Sequence, residues 1–327
     1  MIRFGTIGSN WITEKFIDAG KQLEDFTLSA VYSRTPERAL TFAEKHGASH
    51  WYTDLEAFAK SDEIDAVYIA SPNSLHAEQA ILMMNHGKHV LCEKPLASNP
   101  KEVEAMIECA RKNQVLLMEA VKGLFMPNFK AIIEHLPKIG PVRKAYFTYC
   151  QYSSRYDAFK QGNILNAFNP AFSNGALMDI GIYCLYPLVY LFGEPSSVKG
   201  NGHLLSSGVD GHGTIILDYE QFDATATYSK ITNSIIPSEI QGEDGTMIIH
   251  KISAPQKIEI HYRDGSVADV SQPQVENTMY YEVEEFIRLI KEEKYESDVN
   301  RFDVSLTTAK IMKQVRDQIG LVFPADR

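Results

Sequence analysis

The chain has 327 residues, 44% of them hydrophobic and 23% charged, and carries a formal net charge of -10 at neutral pH. That length predicts two domains, and the composition is that of an ordinary globular protein without a low-complexity run or disordered tail. An acidic balance with no local basic patch argues against nucleic acid or an anionic membrane surface as a partner.

The opening MIRFGTIGSN passes straight from a strand-like run into a glycine turn, with none of the charged, apolar and small-residue zones of a secretory leader. Four dispersed cysteines, Cys92, Cys109, Cys150 and Cys184, contain no CxxC pair, which suits reduced thiols in a cytoplasmic setting. No metal site is expected, because His86 and His89 flank Gly87, where a helix should end. The uncharged stretch Ile180 to Gly193 is only 14 residues long and contains Pro187, so it reads as a buried helix rather than a membrane span.

Through the first 120 residues short apolar runs alternate with helical periods, the pattern of a parallel sheet covered on both faces. Ile2 to Ile7 is strand-like, and Ile12, Phe16, Ala19 and Leu23 then recur at helical spacing. Leu28 to Tyr32 leads into Pro36 and a helix with Ala39, Phe42 and Ala43 on one face, closed by Gly47. Thr53 to Glu56 resembles a capping box for a short helix. The run Ala66 to Ala70 ends at Ser71-Pro72-Asn73, and the helix that follows stops at Gly87. His89 to Cys92 is the next strand, Asn99-Pro100 opens another helix, and Val115 to Met118 closes the series.

From about Val142 the runs lengthen and alternate: Lys144 to Gln151, Gly213 to Tyr219, Asp223 to Lys230, Thr246 to His250 and Lys257 to Tyr262. These predict a mostly antiparallel open sheet, interrupted by one helical stretch from about Gly175 to Phe192 and followed by two more, near Glu276 to Lys294 and Phe302 to Ile319. The fold class is therefore α/β. A doubly wound parallel domain of the dinucleotide-binding type, residues 1–121, precedes an α+β domain, residues 122–327.

A glycine turn that opens a βαβ unit lets a pyrophosphate approach the backbone and meet the positive end of a helix. Here Gly8, Ser9, Asn10, Trp11 and Ile12 occupy that turn, with Asn10 in place of the second glycine of GxGxxG and Thr13 in place of the third. Asn10 is expected to take the left-handed backbone angles a glycine would, with its side chain toward the phosphates. A turn with no ligand reads equally well from this segment alone. At the end of the second strand, Ser33 and Arg34 stand where an acidic residue would receive a ribose 2′-hydroxyl, and Arg38 is counted with them. A hydroxyl and a guanidinium suit a 2′-phosphate, which favours NADP over NAD; a surface arginine at a loop tip is the plainer alternative.

Cys92-Glu93-Lys94-Pro95 follows the fifth strand at its carboxyl end, where open parallel sheets bind ligands. A lysine there is placed to stabilise a developing alkoxide, unless it merely pairs with Glu93 at the surface. In Gly175 to Tyr183, Asp179 and Tyr183 are four apart on one helical face, while Leu177, Ile180, Cys184, Leu188 and Leu191 make an apolar stripe on another. A carboxylate beside a phenol supplies a hydroxyl acceptor and a proton carrier. Tyr186 and Tyr190 nearby make packing the alternative for Tyr183, whereas Asp179 is the only charge between Lys160 and Glu194.

Together with Ser71-Pro72-Asn73-Ser74-Leu75-His76, Gly87-Lys88-His89-Val90 and Glu119-Ala120, these segments resemble the glucose-fructose oxidoreductase/inositol dehydrogenase (Gfo/Idh/MocA) family over essentially the whole chain. The resemblance implies that Lys94 contacts cofactor and substrate, and that Ser71, Pro72, Asn73, His76 and Glu93 lie at the cofactor site. It also implies homodimers or larger assemblies through the outer face of the C-terminal sheet. Where most of that family carries histidine four residues after the aspartate, this chain has Tyr183, similar to the dihydrodiol and NADP-dependent xylose dehydrogenase branch. The arginine common after Glu-Ala in that branch is replaced by Lys122.

The expected activity is hydride transfer between NADP, or NAD, and a CH-OH group of a sugar, polyol or vicinal diol, with Lys94, Tyr183 and Asp179 catalytic. A primary amine of the first domain and a phenol of the second are expected to converge on one carbon. A non-catalytic dinucleotide or sugar sensor, and an NAD-dependent glycoside hydrolase of the same fold, are the alternatives.

Overall fold

In the computed structural model, which describes residues 1–327, strands and helices alternate from the first residues. They are β1 (Ile2–Ile7), α1 (Trp11–Gly20), β2 (Phe26–Tyr32), α2 (Pro36–His46), β3 (His50–Tyr52), α3 (Leu55–Ala59), β4 (Ala66–Ile69), α4 (His76–Asn85), β5 (His89–Glu93), α5 (Pro100–Asn113) and β6 (Leu117–Ala120). The six strands are ordered β3-β2-β1-β4-β5-β6 and every pair is parallel. All four residues of β4 are fully buried, as a central strand covered on both faces requires. Helix ends follow local chemistry: Asn99 accepts from the Glu102 amide ahead of Pro100, and α2 stops at Gly47 in the left-handed conformation. At α3 the cap is Asp54, not Thr53, and it accepts from the Ala57 amide.

The later residues form α6 (Pro127–His135), β7 (Val142–Cys150), α7 (Tyr156–Lys160), a π-helical turn over Leu177–Gly181, and α8 (Ile182–Phe192). Strands β8 (Ser197–Leu204), β9 (Asp210–Tyr219), β10 (Phe222–Ser229), β11 (Ser238–Gly242), β12 (Gly245–His250), β13 (Lys257–Tyr262) and β14 (Val267–Asp269) follow, and then α9 (Tyr280–Lys291) and α10 (Phe302–Ile319). The eight-stranded sheet is ordered β14-β13-β12-β11-β7-β10-β9-β8, with β7 and β10 parallel and the other pairs antiparallel. Its strands alternate: Ile215, Leu217, Ala224, Ala226 and Tyr228 are buried, and the intervening positions are more exposed. The continuous helical stretch spans residues 176–192, as the sequence suggested, and 72% of the most apolar window in this region is buried inside its own fold.

The chain divides into two compact units: Met1–Lys122 with Val275–Phe302, and Gly123–Gln274 with Asp303–Arg327. This differs from a second domain running uninterrupted over 122–327, because α9 returns to the first unit. Its Phe286 lies 6.0 Å from Phe4, which stacks at 4.8 Å on Phe26. An amphipathic helix is legible in the sequence, but which sheet its apolar stripe covers is not.

Candidate active site

In the first unit the strand order reverses between β1 and β4, and ligands of open α/β sheets bind beyond the carboxyl ends of the strands at such a point. Gly8 and Asn10 follow β1, Ser33 and Arg34 follow β2, Ser71 to Asn73 follow β4, Lys94 follows β5 and Lys122 follows β6. The cofactor candidates therefore collect along one edge of one sheet.

Gly8 has φ +107°, and a β-carbon there would stand 2.7 Å from the Ala70 carbonyl, so only glycine lets β1 turn this close to β4. Asn10 departs from expectation. Its backbone is extended, at φ -109° and ψ 177°, rather than left-handed. Its side-chain oxygen accepts from the Ile12 and Thr13 amides at 3.0 and 3.3 Å, and its amide donates to Ala70 O at 2.9 Å. Asn10 is thus a helix cap that also ties β1 to β4, and its side chain is not turned to a ligand through a strained backbone. Trp11, the first residue of α1, is 60% exposed, with the Lys15 ammonium 5.6 Å from its ring centre.

Ser33 is buried, and its amide donates to Tyr52 O at 3.1 Å. Arg34 and Arg38 are exposed beside the N-terminus of α2, and no carboxylate engages either one. Two uncommitted guanidiniums at a helix N-terminus fit a phosphate on the adenosine ribose.

His76 is only 1% exposed and holds two loops together. Its Nε2 lies 3.0 Å from Ser71 O and its Nδ1 3.0 Å from Pro95 O. Burial lowers its proton affinity, and a neutral ring donates to one of the two carbonyls. It therefore acts on the site through the backbone, not by facing a ligand.

The Lys94 loop, which contains a cis Lys94-Pro95 bond, is fixed from several sides. Glu119 accepts from the Leu96 amide at 2.9 Å, and Glu93 accepts from the Lys94 amide at 3.3 Å and from the Tyr68 hydroxyl at 2.6 Å. Burial raises the Glu93 carboxyl, opposed by Lys94, Tyr68 and Lys122. Lys122 is itself lowered by burial against the pull of Glu282 and Glu93. Glu282 of α9, 1% exposed, has no hydrogen-bond partner for either carboxyl oxygen and is raised well above the carboxylate range by burial and by Glu93.

In the second unit Gly175, at φ +148°, packs so closely on Asp210 that no side chain fits there. Asp210, at the start of β9, is fully buried and accepts from the Leu177 amide at 2.7 Å, anchoring the π-helical turn. Such turns recur at functional sites because they re-aim side chains. Asp179 sits within this turn and Tyr183 just beyond it; Tyr183 is half-buried, edge-on to Tyr149 at 5.7 Å. Asp179 forms an ion pair at 2.7 Å with Lys230, whose side chain is 2% exposed.

Sequence reasoning missed Lys230, Asp210 and Glu282. Each reads as an ordinary charged residue beside a strand or on an amphipathic helix, and only burial distinguishes it. Glu119 was visible only as part of a motif.

Residues 2–121 match the model of an oxidoreductase family with an NAD-binding Rossmann fold, and residues 134–248 match the GFO/IDH/MocA C-terminal domain. The chain belongs to the GFO/IDH/MocA oxidoreductase family. It is 59% identical, over all of both chains, to scyllo-inositol 2-dehydrogenase (NADP(+)) IolU of Bacillus subtilis. It is 28% identical to mouse trans-1,2-dihydrobenzene-1,2-diol dehydrogenase, covering 100% of this chain and 99% of that one. Among solved structures, aldose-aldose oxidoreductase from Caulobacter crescentus has the same fold, with a TM-score of 0.86, 23% identity and 97% of each chain covered.

Proposed function

We propose that the protein is an NADP-dependent dehydrogenase that oxidises a CH-OH group of a cyclic polyol or sugar, or reduces the corresponding ketone. The observation that carries the reading is the single carboxyl edge in the first unit. It gathers the close Gly8 turn, the uncommitted Arg34 and Arg38, and the fixed Lys94 loop. The similarity to an NADP-dependent scyllo-inositol dehydrogenase favours inositols within the polyol class.

Gly8 and the α1 N-terminus would hold the pyrophosphate, and Ser33, Arg34 and Arg38 the 2′-phosphate. The bound cofactor supplies the hydride acceptor or donor. Lys94 holds the carbinol oxygen and favours the phenolate form of Tyr183, that phenolate takes the hydroxyl proton as the hydride leaves the carbinol carbon for the cofactor, and Asp179 accepts a hydrogen bond from a neighbouring hydroxyl. In the reverse direction Tyr183 returns the proton to the carbonyl oxygen. A homodimer or larger assembly belongs to the same reading, and light scattering at monomer mass would remove that part.

The test is a panel of inositols, aldoses and vicinal diols with NADP and NAD separately, followed by reduced-nicotinamide absorbance. Turnover with an inositol and preference for NADP are expected. A chromogenic glycoside assayed beside the panel, releasing its aglycone without net change in nicotinamide absorbance, would instead indicate glycoside hydrolysis. Lys94→Ala should lower kcat by roughly a thousandfold in a folded protein, and Tyr183→Phe should lower kcat more than NADP affinity. Near-normal turnover in Lys94→Ala would overturn the assignment.

A further inference from the structure

We propose that Lys230 is a positioning residue for substrate recognition: it fixes the Asp179 carboxylate in the orientation that receives a substrate hydroxyl. The proposal rests on the role given to Asp179 above. It extends the specificity machinery of the second unit to the residue that follows β10, just over fifty positions away in sequence.

The ammonium of Lys230 is located from several sides. It donates to Ala167 O at 3.1 Å, pairs with Asp179 at 2.7 Å and lies 5.1 Å from the centre of the Phe168 ring. The Lys230 backbone amide donates to Gly211 O at 2.9 Å, which fixes the root of the side chain. Ala167 and Phe168 are themselves buried in a cluster with Val209, flanked by Tyr156, Phe159, Leu205 and Ile231, so the accepting carbonyl is held in a packed setting.

The asymmetry of the pair gives it directional consequence. Lys230 is 2% exposed, whereas the Asp179 side chain is 40% exposed. An ion pair with two mobile, solvated ends constrains little. When one end is buried, that charge cannot be resolvated by swinging outward, and losing its partner is strongly unfavourable. The exposed carboxylate is therefore held to the rotamer that serves the buried ammonium. Asp210, the other acid that acts electrostatically on this part of the unit, is engaged with the Leu177 amide and anchors the turn bearing Asp179. The two ends of the β9–β10 hairpin thus hold, respectively, the first amide of the π-helical turn and the carboxylate of Asp179 within it.

The experiment compares Lys230→Met, Lys230→Arg, Asp179→Asn and the Lys230→Met/Asp179→Asn double variant, using the preferred polyol from the panel and NADP. Thermal melts and NADP titrations accompany the kinetics. Lys230→Met should raise KM for the polyol by about tenfold or more, with a smaller fall in kcat and an unchanged NADP Kd. The double variant should be no worse than the poorer single variant, because the two residues act as one unit. Lys230→Arg should recover part of the KM.

Multiplicative losses in the double variant, or a normal KM in Lys230→Met, would overturn the proposal. If Lys230→Met does not fold, Lys230→Gln, which can still donate to Ala167 O but carries no charge, makes the same comparison alone and in the Asp179→Asn background, with the same two outcomes. A normal KM in Asp179→Asn would instead overturn the role of Asp179, which separates the failure of the underlying reading from the failure of this one.

Discussion

Two lysines, each set among two carboxylates, are treated in opposite ways by the two units. Lys230 is bonded directly to Asp179 at 2.7 Å, with Asp210 behind it tied to a helix amide. Lys122 feels Glu93 and Glu282 electrostatically but makes no ion pair with either, and Glu282 is buried with both oxygens unpartnered. A buried cation and anion in contact compensate each other's lost hydration, whereas at longer range burial shifts both toward their neutral forms. The comparison therefore separates charge committed to architecture, around Asp179, from charge left uncommitted along the cofactor edge, where Arg34 and Arg38 also have no acidic partner.

The largest expected effect sharpens that contrast through the buried acids. Burial raises the Asp210 carboxyl from 3.8 to about 6. The folded protein then holds this proton between about pH 4 and 6 while the unfolded chain releases it, so this group's contribution to stability falls as pH rises through that window and is flat above it. The swing is about 3 kcal/mol at 1.36 kcal/mol per pK unit. Asp210→Asn removes the titration, so its stability relative to the parent should rise by that amount between pH 4 and 6.5, measured by urea unfolding. Glu282→Gln should show the same sign over a window that begins in the ordinary carboxylate range, because burial and Glu93 raise Glu282 and it lacks even a backbone donor. A pH-independent difference for both variants would show that neither acid is protonated by burial.

The same contrast explains what the sequence made legible. The parallel sheet, its helices and the two chemical segments followed from apolar periodicity and turn residues, which are local properties. Strand β8 went unread because Gly200 and Gly202 interrupt its alternation, and they do so to let Val315 and Ile319 pack close. Strand β3 has three residues and β11 only one large apolar residue, too little for a period of two to register. Lys94, Asp179 and Tyr183 stood out as residue types in a motif. Lys230 and Glu282 did not, because a lysine after a strand and a glutamate on an amphipathic helix normally face water. Their burial comes from long-range packing, as does the return of α9 to the first unit.

Arg34 tests the uncommitted side of the comparison at intermediate size. Because no carboxylate holds it, Arg34→Asp should leave stability nearly unchanged. Against a 2′-phosphate it should lower the NADP to NAD ratio of kcat/KM by roughly thirtyfold, about 2 kcal/mol for one charge-assisted contact. An unchanged ratio would remove Arg34 from the cofactor site, and a loss of stability would show that it is committed after all.

Asn10 should give the smallest effect, and it could break the comparison, since it is a committed polar group on the otherwise uncommitted edge. Its oxygen occupies the Ile12 and Thr13 amides and its nitrogen the Ala70 carbonyl. These are contacts of a cap and a strand tie. Asn10→Ala should therefore cost about 1 kcal/mol in urea unfolding, the usual worth of an N-cap. NADP affinity should fall no more than a few fold, because the backbone amides of the turn remain. A loss of NADP affinity far larger than the loss of stability would mean that the asparagine itself meets the pyrophosphate. The distinction between architectural and ligand-directed polar groups would then fail at the position where the turn departs most from GxGxxG.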